Sequence, residues 1–95
     1  MKFAVIIEYN AEHEDIKKHH SAHREYLRRF LENGQLWAAG PFAQDTGALW
    51  ILDADNAKAA EEIVKADPYV AAGVQISWQL RPIAYWSARD AKGAL

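Results

Sequence analysis

The chain has 95 residues, the size of one domain, and we treat residues 1–95 as a single domain. Because 51% of the residues are hydrophobic and four are tryptophan, we expect a partner to cover part of the apolar surface. The net charge of −2 argues against nucleic-acid binding. The absence of cysteine excludes disulfides, thiolate metal sites and a cysteine nucleophile, and it fits a cytoplasmic protein. No apolar run approaches the roughly 20 residues of a membrane span.

The N-terminal third predicts a strand followed by a long helix. Alternating apolar residues within 3–9 would share one face of a strand, namely Phe3, Val5 and Ile7. Between about 14 and 34, residues at spacings of three and four form an apolar helical stripe: Ile16, His20, His23, Leu27, Phe30 and Leu31. Asn33 and Gly34 predict the helix end, because both tolerate the left-handed cap conformation.

The remainder predicts two strands, a second helix and a last strand. Short apolar runs at 36–39 and 48–52 indicate neighbouring strands joined by a turn. Asn56 is the expected N-cap of a helix over 56–66, which Asp67 and Pro68 would end. In the final strand, alternation predicts one shared face for Val74, Ile76, Trp78 and Leu80.

This order, strand–helix–strand–strand–helix–strand, predicts an α+β fold of the ferredoxin-like βαββαβ type with a four-stranded antiparallel sheet. Right-handed crossovers place both helices on one face of that sheet. The other face would carry apolar side chains such as Ile6 and Leu49, so we expect a second copy of the chain to cover it as a homodimer. Residues 84–95 would then reach across to the partner or extend along the rim of the paired sheets.

Four histidines, His13, His19, His20 and His23, lie within one short segment. His19 and His23 are four residues apart, as in helical metal-binding pairs, but no H-E-x-x-H motif or third ligand accompanies them. We therefore predict neither a metal site nor a cofactor. The chain also lacks the G-x-G-x-x-G, P-loop and G-x-S-x-G motifs, which removes the common nucleotide-binding and acyl-transfer functions.

Three places have both a structural and a functional interpretation. His23 lies on the apolar stripe, either as a half-buried residue bonded to a carbonyl or as an acid–base group. Asp67 either ends the second helix or supplies a carboxylate beside the Tyr69 hydroxyl. In the last helical turn its charge would oppose the helix dipole, which hints at another role. Gly40 and Pro41 either end a strand or let a ligand approach the backbone closely.

Several segments together resemble the YciI-like, or YCII-related, family. They are the helix with His23, the strand 36–39 leading into Gly-Pro, and the stretch 66–74, which is similar to the family's D-P-[FY]-x-x-A-G-[VL] signature. The resemblance implies a ferredoxin-like domain paired as a dimeric α/β barrel, similar to muconolactone isomerase. It also implies a catalytic His–Asp pair, which falls on His23 and Asp67. One branch of the family resembles dehydrochlorinases that act on chlorinated hydroxyquinones.

The leading hypothesis from the sequence is a small-molecule enzyme of the lyase or isomerase type. His23 would transfer the proton, Asp67 would orient the imidazole, and Gly40, Pro41 and Tyr69 would contact the substrate. The alternative is a non-catalytic module that binds a small ligand or a protein partner. In that module His23 and Asp67 would form a structural hydrogen bond.

Overall fold

The computed structural model describes residues 1–10, 12 and 14–87. His13 and the end of the predicted tail, 88–95, lie outside the described residues. The sheet strands are β1 (Lys2–Tyr9), β2 (Leu36–Pro41), β3 (Gly47–Asp53) and β4 (Gln75–Ile83), and the helices are α1 (Asp15–Glu32), α2 (Ala57–Lys65) and α3 (Pro68–Ala71). Across the described part of the chain, no helix has both the length and the apolar character needed to cross a membrane.

The four strands form one antiparallel sheet in the order β2-β3-β1-β4. Along the chain, α1 lies between β1 and β2, and α2 lies between β3 and β4, as the βαββαβ prediction requires. The predicted ferredoxin-like α+β architecture is therefore confirmed. Both predicted helix caps are also present: Asn56 accepts a hydrogen bond from the Ala59 amide at 2.8 Å, and Gly34 has a φ of 86° after α1.

The core fills the space between the helices and one face of the sheet. Its buried side chains come mainly from alternate positions of β1 and β3, with Phe3, Val5 and Ile7 facing Leu52, Trp50 and Ala48 across the ladder. The opposite positions, including Ile6 and Leu49, are exposed. The sheet therefore has one face packed against helices and one apolar face that the described residues leave largely open.

The face assignment predicted for the start of β4 is wrong. Gln75 is only 4% exposed, whereas Ile76 is 56% exposed. The cause is a register shift between Glu8 and Tyr9. Glu8 pairs with Ser77 but Tyr9 pairs with Gln75, so the alternation of faces in β4 is interrupted at Ile76. The Gln75 amide is buried without a hydrogen-bond partner among the described residues.

The position predicted for Asp67 also needs correction. Asp67 does not lie in the last turn of α2, because α2 ends at Lys65 and a separate short helix, α3, begins at Pro68. Asp67 is the N-cap of α3, and its carboxylate accepts a hydrogen bond from the Tyr69 amide at 3.0 Å. A carboxylate is favourable at a helix N-terminus, and proline is favoured at the first helical position. The local sequence thus follows the helix rules that it seemed to break.

Gly47 fixes the loop between β2 and β3 against β1. A side chain at this position would overlap the carbonyl of Ile7, so the close approach of the two backbones requires glycine. We expect Gly47→Ala to lower the free energy of unfolding by at least about 2 kcal/mol through overpacking. Gly40→Ala is the matched control, because nothing lies within 4 Å of a Cβ there. Urea denaturation measures both, and equal midpoints would contradict the close approach.

The described beginning of the tail contacts its own sheet through Trp86. The Trp86 ring lies 5.9 Å from the Trp37 ring, and the Lys2 ammonium lies over both indoles, at 4.3 Å from Trp37 and 5.6 Å from Trp86. A cation beside two indoles stabilises this intrachain contact. The expectation that residues 84–95 reach across to a partner or extend along the rim of the paired sheets stays a prediction. Tyr85 beside it is exposed.

Candidate functional site

A cavity of about 240 Å³ opens between α1 and one end of the sheet. Its sheet wall includes Tyr9 and Trp50, its helix wall includes His20, His23 and Arg24, and Tyr69 closes it from α3. A space of this size accommodates a single-ring molecule, because engineered cavities of about 150 Å³ bind benzene. Mostly apolar walls with a few polar groups are typical of small-molecule sites.

His23, which lines this cavity, pairs with the buried Asp67. The His23 Nδ1 atom lies 2.9 Å from both carboxylate oxygens of Asp67, which is fully buried. In the neutral ring, Nδ1 carries the proton and donates a hydrogen bond to the carboxylate, so Nε2 holds the free lone pair. The predicted proximity of the two side chains is confirmed. The pairing joins α1 to the N-cap of α3, 44 residues apart in the chain.

Tyr69 holds the imidazole in place. Its ring stacks on His23 with centroids 4.0 Å apart and an interplanar angle of 8°. Its hydroxyl donates to the carbonyl of Ile16 at 3.4 Å. Burial first, and then the charge of Asp67, raises the pKa of Tyr69, which keeps the hydroxyl protonated at neutral pH. Tyr69 therefore supports the histidine from one side while its ring lines the cavity.

Tyr9 is a cavity residue that the sequence did not single out, because it ends a strand with no motif around it. Its ring is 7% exposed and meets Tyr69 edge-on at 5.4 Å. Burial raises its pKa well above the ordinary value of 10.0, with a further contribution from the charge of Asp67. Tyr9 is therefore a neutral hydrogen-bond donor across the physiological range.

Two charged side chains at the cavity were also missed from the sequence. Arg24 comes from α1, one position after His23, and Asp45 comes from the turn before β3. The turn places Gln44 and Asp45 at φ values of 63° and 56°, in the left-handed region. Strain of this kind costs about 1 to 3 kcal/mol per residue and concentrates at ligand sites. Because neither residue is glycine, these positive φ values could not be predicted from the sequence.

The remaining predicted residues divide into two groups. Gly40 and Pro41 line the cavity, as does His20. His19 lies instead beside Asp15, with its Nε2 4.0 Å from a carboxylate oxygen. Within 1–10, 12 and 14–87, no group of three or more histidine and acidic side chains is arranged to hold a metal ion.

Comparison with known proteins identifies the family. The model of the YCII-related domain matches residues 1–87. The chain belongs to the YCII-related domain family. This result confirms the resemblance carried by the Asp-Pro-Tyr stretch, whose aspartate and tyrosine are the residues that contact His23.

One curated protein and one solved structure are similar to this YCII-related chain. YjpA of Bacillus subtilis (strain 168) is 39% identical over 57 residues, which cover 60% of this chain and 67% of YjpA. The solved structure of 5-chloro-2-hydroxyhydroquinone dehydrochlorinase (TftG) from Burkholderia phenoliruptrix AC1100, in complex with 2,5-dihydroxybenzoquinone, has a TM-score of 0.76. The match covers 90% of this chain and 96% of TftG at 18% identity. At that identity the similarity establishes a shared fold.

Proposed function

We propose that this protein is a small-molecule enzyme of the lyase or isomerase type, in which His23 transfers a proton and Asp67 orients and stabilises its imidazole. The observation that carries the proposal is the 2.9 Å contact between His23 Nδ1 and the buried Asp67 carboxylate, at the wall of a cavity. Because Nδ1 is engaged, Nε2 is the nitrogen available to a molecule in the cavity. The described residues offer Nε2 no hydrogen-bond partner of their own.

The pair suits general acid–base catalysis. A neutral histidine takes a proton near neutral pH, and the buried carboxylate stabilises the imidazolium that results. The fixed tautomer ensures that the lone pair is on the correct nitrogen before the substrate arrives. Stacking against Tyr69 limits rotation of the ring, so little reorganisation accompanies the transfer.

The substrate class is a single-ring or similarly small molecule with an acidic C–H or a leaving group next to a carbonyl. The cavity volume supports this size. TftG, which shares the fold, is named as a dehydrochlorinase and was solved with a six-membered quinone bound. Gly40, Pro41 and Tyr69 would contact the ring, consistent with their places in the cavity wall.

A proton-exchange assay tests the proposal. Wild-type protein and His23→Ala are incubated in D₂O with 5-chloro-2-hydroxyhydroquinone and a panel of cyclic hydroxyketones, while NMR follows C–H exchange and a chloride electrode follows elimination. We expect exchange or elimination with the wild type on at least one compound, and a loss of about a hundredfold or more in the variant. Equal rates in both proteins would refute a role for His23.

The second candidate is a non-catalytic ligand-binding or interaction module, in which the His–Asp bond is structural. The burial of Asp67 and its link between two helices favour this alternative. It predicts a large loss of thermal stability in His23→Ala. It also predicts no proton exchange or elimination with any compound of the panel, even with one that raises the melting temperature of the wild type, because binding alone stabilises the fold. An acid–base site predicts turnover that His23→Ala loses.

The open sheet face supports a homodimer, paired as a dimeric α/β barrel. Exposed apolar residues gather on this face, among them Ile6, Leu49 and, next to β2, Phe42. A two-fold axis lets the same surface serve both chains, and face-to-face sheets would remove the exposure.

A cytoplasmic location remains part of the proposal and rests on the lack of cysteine.

A further inference from the structure

Tyr9 is a mostly buried residue whose hydroxyl has no hydrogen-bond partner among the described residues. The side chain is more than nine-tenths buried, it lines the cavity, and no hydrogen bond joins its hydroxyl to another described residue. Tyr26, by contrast, donates its hydroxyl to the carbonyl of Ile63 at 2.6 Å. A buried tyrosine normally finds such a partner. The Tyr9 hydroxyl is not among the fully buried polar atoms that lack a partner, so it is accessible at the cavity and can donate to a molecule bound there.

The position of Tyr9 relates this hydroxyl to the histidine. The Tyr69 ring contacts both side chains: it stacks on His23 at 4.0 Å and meets Tyr9 edge-on at 5.4 Å. Only one aromatic ring thus separates the base from the donor, and both border the same cavity. A single-ring ligand that fills the cavity would therefore have both side chains in the surrounding wall.

We propose that Tyr9 is a further catalytic residue, whose hydroxyl donates a hydrogen bond to the substrate oxygen on which negative charge develops. The inference rests on the proposed proton transfer by His23. When Nε2 takes a proton from the carbon next to a carbonyl, the C–H electron pair forms a carbon–carbon double bond and the carbonyl π pair moves to oxygen. The products of the step are an imidazolium and an enolate, and the Tyr9 proton stays on Tyr9.

The surroundings of Tyr9 fit this role. Burial and the nearby charges of Asp67 and Asp45 oppose its ionisation, so the hydroxyl donates throughout the reaction. A donor fixed before the substrate binds stabilises the oxyanion without reorganisation, which is the basis of oxyanion holes. The backbone of Tyr9 is also held, because its amide donates to the Thr46 carbonyl at 3.0 Å.

The test uses 4-nitrophenolate as a stable oxyanion probe, with binding followed by its absorbance and by the His23 imidazole signals in NMR. We expect the wild type to bind the anion, Tyr9→Phe to bind it tenfold to a hundredfold more weakly, and Tyr26→Phe to bind it as the wild type does. Melting temperatures should show the opposite order. Tyr26→Phe loses a hydrogen bond and melts lower, whereas Tyr9→Phe loses an unpartnered hydroxyl and melts at or above the wild type.

Failure of this inference is distinct from failure of the proposed function. Unchanged binding in Tyr9→Phe, or no binding of the probe by the wild type, overturns the role of Tyr9 whatever the proton-exchange assay gives. Equal exchange rates in wild type and His23→Ala overturn the His23 mechanism, and the phenolate affinities still report on the Tyr9 donor.

Discussion

Replacing Asp67 with asparagine should reduce turnover by about a hundredfold to ten-thousandfold while leaving the fold intact. The amide is nearly isosteric and remains a good N-cap for α3, so its oxygen still accepts the Tyr69 amide. It no longer supplies the charge that stabilises an imidazolium. Its NH₂ group, turned toward His23, favours the tautomer in which Nδ1 is the acceptor, and the proton then blocks Nε2.

The matched control is Asp53→Asn, the same substitution at a carboxylate that binds Lys2 and the N-terminal amine away from the cavity. Circular dichroism establishes that each variant is folded, and turnover is measured on whichever compound the exchange assay identifies. Turnover of Asp67→Asn within a few-fold of the wild type would show that the carboxylate does not tune the histidine.

Leu49→Asp should convert a homodimer into a monomer. Leu49 is 39% exposed at the centre of the open sheet face, next to Ile51 and opposite Ile6 on β1. A dimer formed through this face would bury roughly 2,000 Å² or more over both partners. An unpaired carboxylate in such an interface carries a desolvation cost that the apolar contacts do not offset.

Light scattering at micromolar concentration measures the effect. We expect about 21.4 kDa for the wild type, twice the chain mass of 10.7 kDa, and 10.7 kDa for Leu49→Asp. Leu31→Asp is the control, because Leu31 has a similar exposure of 49% but lies on α1, away from the open face. A monomeric wild type, or a dimeric Leu49→Asp, would exclude pairing through the sheet.

The fold could be predicted because the spacing of hydrophobic residues and the residues at helix ends depend only on nearby parts of the chain. The alternation at Phe3, Val5 and Ile7 and the cap at Asn56 each determine one element, and their order leaves one common topology. What the sequence did not show depends on long-range register. The shift opposite Glu8 and Tyr9 buries Gln75 and exposes Ile76, against the simple alternation of β4.

The site was predictable only in part, for a related reason. His23 stands out as a polar residue on an apolar stripe, and Asp67 precedes a proline, so both carry a local signal. The short helix α3 gives no periodic pattern, which is why Asp67 was placed at the end of one helix rather than the start of another. Tyr9 and Asp45 reach the cavity through tertiary packing, and nothing in their sequence neighbourhoods distinguishes them.

Chemical rescue of His23→Ala tests the central claim most directly. Truncation removes the base and leaves space beside the Asp67 carboxylate, where added imidazole can bind and accept the proton. We expect the variant to lose at least about a hundredfold in proton transfer, and we expect millimolar imidazole to restore a measurable part of the rate in proportion to its unprotonated fraction. A variant with wild-type rates in the absence of imidazole would contradict the claim.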